Sequence, residues 1–344
     1  MKKLERIKPK KIGIFRALQL GDLLCAIPAI RSLKHAIPDS EITLIGLPWA
    51  EAFVNRFSKY FSKFIHFPGF PGLPEQSYNV DAFIEFVMKM NREKFDLILQ
   101  LHGNGSVINP MIELLGAKDT AGYAEPNTYY ANKNLFMAYP EGIPEIERHL
   151  ELMRFLGISV KRNHLEFPVT SEETTRFKKL CEKFSLHSEE YVCVHPGARD
   201  IQRWWSPEKF ARIGDSIANK GYKLVLTGTA TEKENASRVE ELMNYPAINC
   251  VGKTDLGTLA LLIKNSKMIF SNDTGVSHIA AAVKTPSLVV FLSSDPVRWA
   301  PLNKDLHHII LPEESGNMKL VLKKTELVLM NSSENLRTEK ILRD

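Results

Sequence analysis

Short apolar runs of strand length alternate with stretches whose hydrophobic positions recur every 3.6 residues or so. Ile12 to Phe15 is the first such run, followed by a loop from Arg16 to Gly21. Helical periodicity then extends from Leu23 to Ala36, where Pro38 and Asp39 end it. Ile42 to Ile45 predicts a second strand and Trp49 to Phe57 a short helix, while Phe67 to Pro74, rich in Pro and Gly and without a period, reads as a surface loop. Asn79 to Asn91 predicts a helix leading into a strand from Phe95 to Leu101. His102 to Ser106 turns the chain, and a further helix is expected from Ile143 to Leu156.

A boundary falls at Phe167 to Thr170, followed by a charged helix from Ser171 to Phe184. A second series of strands follows: Tyr191 to Val194, Lys223 to Leu226, Ile248 to Val251, Met268 to Phe270 and Leu288 to Phe291. Ser206, Pro207 and Glu208 make a good cap and first turn for a helix reaching Asn219. The tail from Asn331 to Asp344 is polar and reads as a frayed helix. Strands and helices alternating in this way predict an α/β chain with mostly parallel sheets, divided into domains 1–170 and 171–344 with a ligand cleft between them.

Composition leaves that picture unchanged. The 344 residues are 44% hydrophobic and 25% charged, ordinary for a soluble chain, and the net charge is +5. Part of the excess lies in Lys2, Lys3, Arg6, Lys8, Lys10 and Lys11, a tail expected to stay solvated or to touch anionic lipid. Cys25, Cys181, Cys193 and Cys250 form no C-x-x-C pair and read as small core residues of a reducing cytosol. Arg16 and Asp22 interrupt the only early apolar stretch, so no signal peptide or membrane span is expected.

Several motifs fail. Gly252-Lys253-Thr254 ends like a phosphate-binding P-loop, but Ala247 stands where that loop needs glycine. No G-x-G-x-x-G follows a strand, and neither H-E-x-x-H nor an Asp-x-Asp pair is present, so no metal and no dinucleotide cofactor are expected. Four places could carry chemistry. The bend Ser271 to Gly275 joins a strand to a helix rich in small residues; its backbone N–H groups suit a diphosphate, or Asp273 or Thr274 simply caps the helix. His195-Pro196-Gly197-Ala198 ends a strand, and Arg203 beyond it either binds an anion through its planar fork or stacks on a neighbouring tryptophan. Glu232, in the first turn after Thr227-Gly228-Thr229, either favours the helix dipole or takes both hydroxyls of a ribose. Asp22, at a loop-to-helix junction, taken alone is a capping residue.

Together and in this order, these stretches resemble the heptosyltransferase family, from about Ile12 to Pro301. Its members are inverting glycosyltransferases that take a sugar from a nucleotide diphosphate. Leu226-Thr227-Gly228 with Glu232, Asn272-Asp273-Thr274-Gly275 through His278, Thr285-Pro286, and Arg16, Leu20-Gly21-Asp22 and Pro28 carry the likeness. The resemblance implies a GT-B fold, two Rossmann-like domains facing across a cleft, the first for the acceptor and the second for the donor. It places the catalytic base on Asp22, the donor-phosphate cation on Arg203 where the family has lysine, and the ribose carboxylate on Glu232. The anion-binding turn falls on Asp273, Thr274, Gly275 and His278, with Arg16, Gln19, Gly21 and His102 as acceptor or loop contacts. Leu18 and Gln19 replace the small hydroxyl residues common in members acting on lipopolysaccharide core. By the same resemblance the donor is an adenine nucleotide sugar, ADP-heptose above all. The acceptor is a lipopolysaccharide-type or other saccharide, lipid-linked or not, at the inner face of the membrane, the enzyme is cytoplasmic or peripheral, and no nucleic acid is bound. Two alternatives share the architecture: a non-hydrolysing nucleotide-sugar epimerase and a binding protein without turnover, against which Asp22 argues.

Overall fold

The structure, a computed structural model, describes the backbone of residues 3–341 and their side chains except those of 5, 6 and 331–341. Two compact units divide it, Met1–His164 and Leu165–Asp344. Residues 165–170 group with the second.

In the first unit Lys11–Phe15 (β1) pairs in parallel with Glu41–Gly46 (β2) on one side and Leu97–Gln100 (β4) on the other. Ile12, Ile14 and Phe15 are wholly buried, as a central strand covered on both faces requires. Lys63–His66 (β3), Asp119–Ala124 (β5) and Phe136–Ala138 (β6) complete the order β3-β2-β1-β4-β5-β6. The second unit repeats this plan. Its strands are Tyr191–His195 (β7), Lys223–Leu226 (β8), Ala247–Asn249 (β9), Ile269–Asn272 (β10), Ser287–Val290 (β11) and His307–Ile310 (β12), in the order β12-β11-β10-β7-β8-β9. Read from β7, that is the same winding as the first sheet. Each is a doubly wound sheet whose strand order reverses at the junction of its first and fourth strands, β1 with β4 and β7 with β10, and loops at the carboxyl ends of such strands hold ligands.

Local chemistry sets most helix limits. Asn79 caps Val80–Glu93, its Oδ1 accepting from Ala82 N at 2.9 Å, and Ser206 caps Pro207–Ala218. Thr170 and Glu173 form a reciprocal cap on Ser171–Phe184. In the second core Trp205, Phe210 and Phe270 meet edge to face, with centroids 5.1–5.7 Å apart.

Some expectations are corrected. β3, β5, β6, β12 and the helix Ile108–Glu113 give no clear apolar run, because they are short or lie toward sheet edges. The strand expected at Ile248 to Val251 ends at Asn249, since Gly252 turns at φ +70° and Lys253 N bonds Cys250 O. The basic amino-terminal stretch is not a wholly solvated tail. Lys3–Ile7 is a short helix with Leu4 buried; Leu4 N donates to Leu156 O at 3.3 Å, and Lys3 Nζ sits over the Phe155 ring. Lys2 and the Arg6 side chain lie outside the described residues. The carboxyl-terminal helix runs Met318–Ile341, and residues 342–344 of the expected polar tail lie outside the description. Cys25, Cys193 and Cys250 are buried, as core residues should be, whereas Cys181 is only partly buried. Among the described residues no helix is long and apolar enough to cross a membrane.

Candidate active site

In the second unit the candidate residues collect at the carboxyl ends of β7 and β10. Asn272, the last residue of β10, donates from Nδ2 to Pro196 O at 2.7 Å and accepts Trp205 N at 3.1 Å. Asn235 donates to the same Pro196 carbonyl at 2.8 Å. These bonds fix the Pro196–Ala198 loop and deliver Arg203, at the end of the one-turn helix Ile201–Arg203, to β10.

Arg203 Nη1 lies 3.2 Å from Oδ2 of buried Asp273, which also accepts the Ser294 hydroxyl. Arg203 Nε is buried without a hydrogen-bond partner. Lys209, not Arg203, stands over the Trp205 ring, so the stacked alternative is not what forms. Thr274 opens the nine-residue helix Gly275–Val283 from an extended conformation, without a capping bond from its side chain. Its carbonyl accepts Ser277 N and Ser277 Oγ at 3.0 and 2.9 Å, leaving the N–H groups of Gly275 and Val276 uncovered by a Thr274 side-chain cap. Neither Asp273 nor Thr274 therefore caps this helix through a side chain. A partly exposed cation with one buried, unused donor, beside a helix amino terminus, suits an anion. His278 is buried on the same helix, its ring edge-on to Trp299 at 6.4 Å.

Glu232 ends the turn Ala230–Glu232, just ahead of the helix Lys233–Leu242. Its Oε2 accepts Thr229 N and Thr229 Oγ1 at 2.6 and 2.8 Å, and the carboxylate lies on Gly197 so closely that a Cβ there would come within 2.3 Å of Cδ. His195 Nε2 is 3.9 Å from Oε2 and His195 Nδ1 meets Thr227 Oγ1 at 3.0 Å. Burial pushes the His195 imidazole toward its neutral form, with Glu232 opposing.

In the first unit the corresponding junction holds Arg16, just past β1, and His102, past β4. Both are buried. Arg16 Nε donates to Asp22 O at 2.9 Å, Nη1 to Leu101 O, and Nη2 to Glu145 Oε1 at 2.9 Å, with Asp22 Oδ1 3.6 Å away. His102 Nδ1 accepts Ala17 N at 3.2 Å, and its Nε2 is 3.6 Å from Glu75 Oε1. Arg16 and His102 are thus loop anchors, too enclosed to reach an acceptor themselves. Gln19, Gly21 and Asp22 remain partly exposed. Asp22 is not the helix cap: Gln19 holds that position, and Asp22, third in Leu20–Ala36, reaches back to Gln19 N at 3.3 Å.

Local reading missed Asn272 as the clamp on Pro196, Ser294 on Asp273, and Glu145, Arg148 and His149 behind Arg16. Only the Glu-x-x-Arg-His spacing, which stacks three polar residues on one helical face, could have marked the last group. Among the described residues no cluster of three or more His, Cys, Asp or Glu is arranged to hold a metal ion.

Residues 84–328 match the family model described as glycosyltransferase family 9 (heptosyltransferase). The chain is similar to lipopolysaccharide heptosyltransferase 2 of Escherichia coli, 30% identical over 307 residues that cover 85% of this chain and 86% of that one. To lipopolysaccharide heptosyltransferase 3 of Escherichia coli it is 25% identical over 299 residues, covering 83% and 84%. Its fold is that of the solved ADP-heptose lipopolysaccharide heptosyltransferase II of E. coli, at TM-score 0.74 and 19% identity over 94% of this chain and 99% of that one. The architecture is therefore GT-B.

Proposed function

We propose that this chain, which belongs to glycosyltransferase family 9, the heptosyltransferases, transfers heptose from ADP-heptose to a saccharide acceptor of the lipopolysaccharide type with inversion at the anomeric carbon. The observation that carries the donor half is the buried, unpartnered Nε of Arg203 beside the start of Gly275–Val283, at the point where the second sheet's strand order reverses. The names of the relatives support the heptose, the adenine nucleotide and the acceptor class.

In this reading Asp22 accepts the proton of an acceptor hydroxyl as its oxygen bonds to the anomeric carbon. The bond from that carbon to the diphosphate oxygen breaks, and its electron pair leaves with the diphosphate. Arg203 and the first-turn N–H groups after Thr274 meet the charge that develops there, and Glu232 holds the ribose hydroxyls. Asp273 and Ser294 keep the Arg203 fork in place, and His278, on the helix Gly275–Val283, is a further donor contact. The lipid-linked acceptor supports work at the inner face of the cytoplasmic membrane, with peripheral contact.

Release of ADP from ADP-heptose, measured with and without a heptose-deficient lipopolysaccharide acceptor, tests the reading. Acceptor-dependent ADP release with an inverted glycosidic product is expected. Acceptor-independent isomerisation of the donor would establish the epimerase instead, and donor binding without either reaction would establish a binding protein.

A further inference from the structure

Behind Asp22 lies a chain of charges taken almost wholly out of water. The Arg16 guanidinium bridges the Asp22 carboxylate and Glu145, and the second Glu145 oxygen receives Arg148 Nη1. Arg16, Glu145 and Arg148 side chains are each no more than 4% exposed, and that of Asp22 is 19% exposed. Arg148 is fixed from behind: its Nε donates to Pro140 O at 2.9 Å, and its guanidinium lies 4.4 Å over the Tyr139 ring. His149 Nε2 is 3.3 Å from Glu145 Oε1, and its Nδ1 is 2.9 Å from the Tyr123 hydroxyl. Burial and the Arg16 charge push that imidazole down to about 4, and burial raises Tyr123, so neither carries charge at neutral pH.

Two cations and two anions therefore alternate in the order Asp22, Arg16, Glu145, Arg148. Burying a guanidinium is costly unless it is paired, and Arg16 is shared between two carboxylates from segments far apart in sequence. Removing either carboxylate throws the cation onto the other.

We propose that Glu145, clamped by Arg148, is a positioning residue for Asp22: it holds Arg16 at a fixed distance from that carboxylate and takes up part of the Arg16 charge, so that Asp22 is oriented and ionised yet basic enough to accept a proton. This rests on Asp22 being the base. A carboxylate gripped by an unshared arginine is a poor base, because the neighbouring cation favours its charged form. Sharing Arg16 with Glu145 weakens that grip, and Arg148 in turn limits how far Glu145 can offset Arg16. On the other side of Ala17, His102 and Glu75 are the titratable pair facing the loop.

The two members farthest from Asp22 have opposite expected effects. In Glu145→Gln both guanidinium charges lose their shared anion, so the Asp22 carboxyl should titrate lower, by on the order of one pH unit. In Arg148→Met, Glu145 offsets Arg16 more fully and Asp22 should titrate higher. The carboxyl-carbon resonance of Asp22 in aspartate-labelled protein, assigned by its loss in Asp22→Asn, reads this without any assay of turnover. In Glu145→Gln kcat should also fall about tenfold or more with the donor KM unchanged, and Glu145→Asp should restore the titration. Shifts of opposite sign support the proposal; no shift, or shifts of the same sign, overturn it. Should Glu145→Gln not fold, the sign of the Arg148→Met shift decides alone. If the titrations move as expected while Asp22→Asn keeps its rate, the positioning stands and the assignment of the base falls.

Discussion

Arg203 and Asp273 meet at 3.2 Å through one guanidinium nitrogen, while Arg203 Nε points into a buried position with nothing bonded to it. An arginine whose carboxylate partner fixes only one edge of its fork is oriented and still has a donor to give. Arg203→Ala should therefore weaken ADP binding by roughly ten- to a hundredfold, the worth of a charge-assisted hydrogen bond to phosphate. Arg203→Lys should recover only part of this, since ammonium is a point charge without the fork. Isothermal titration with ADP reads both, and unchanged affinity in the alanine variant would make the pair structural.

Much of this was open to local reading. Ser206-Pro207 marks the start of its helix, the Ser171–Phe184 helix falls where its charge pattern puts it, and the turns after β7 and β10 follow from buried runs that stop at Pro-Gly and Asp-Thr-Gly. Asp119–Ala124 escaped because Asp-Thr-Ala-Gly-Tyr-Ala has neither a continuous apolar run nor regular alternation. The role of Arg16 was hidden for a different reason. Its partners Leu101 and Glu145 are 85 and 129 residues away, and no local pattern reports a contact that only the closed sheet brings about.

Gly197 offers a second test of the proposed donor site. Because a Cβ there would come within 2.3 Å of Glu232 Cδ, Gly197→Ala should displace the carboxylate and mimic Glu232→Ala, with roughly a ten- to hundredfold loss of ADP affinity. ADP lacking its ribose hydroxyls should bind the wild type less well than ADP, and should bind Gly197→Ala about equally. Normal ADP affinity in Gly197→Ala would separate Glu232 from the ribose.

Turnover should persist in excess EDTA. The proposed donor site meets the diphosphate with Arg203 and a helix amino terminus, a set that supplies positive charge without a metal ion. Complete loss of activity restored by magnesium would contradict this.

Acid should unfold the second unit partly through His307. Burial, aided by the neighbouring His278, His308 and Lys304, pushes this imidazole from 6.5 down to about 4, with Nδ1 held 2.8 Å from Ser287 Oγ. The unfolded chain takes up the proton first, so the neutral form's stability is intact above pH 6.5 and is lost as pH falls toward 4. The loss over that window is about 3 kcal/mol. Urea melts should show His307→Asn losing less stability than wild type between about pH 7 and pH 4. An identical loss would rule out His307 as the proton acceptor.

The assignment of the base is tested most directly by the turnover of Asp22→Asn. The amide keeps the third position of Leu20–Ala36 and can still accept from Gln19 N, and the proposed donor residues all lie in the other unit, so ADP affinity should not change. With folding checked by melting and donor binding by titration, kcat should fall by about 10²–10⁴, the usual worth of a general base. An Asp22→Asn protein that binds ADP normally and retains most of the wild-type rate would show that another group removes the proton.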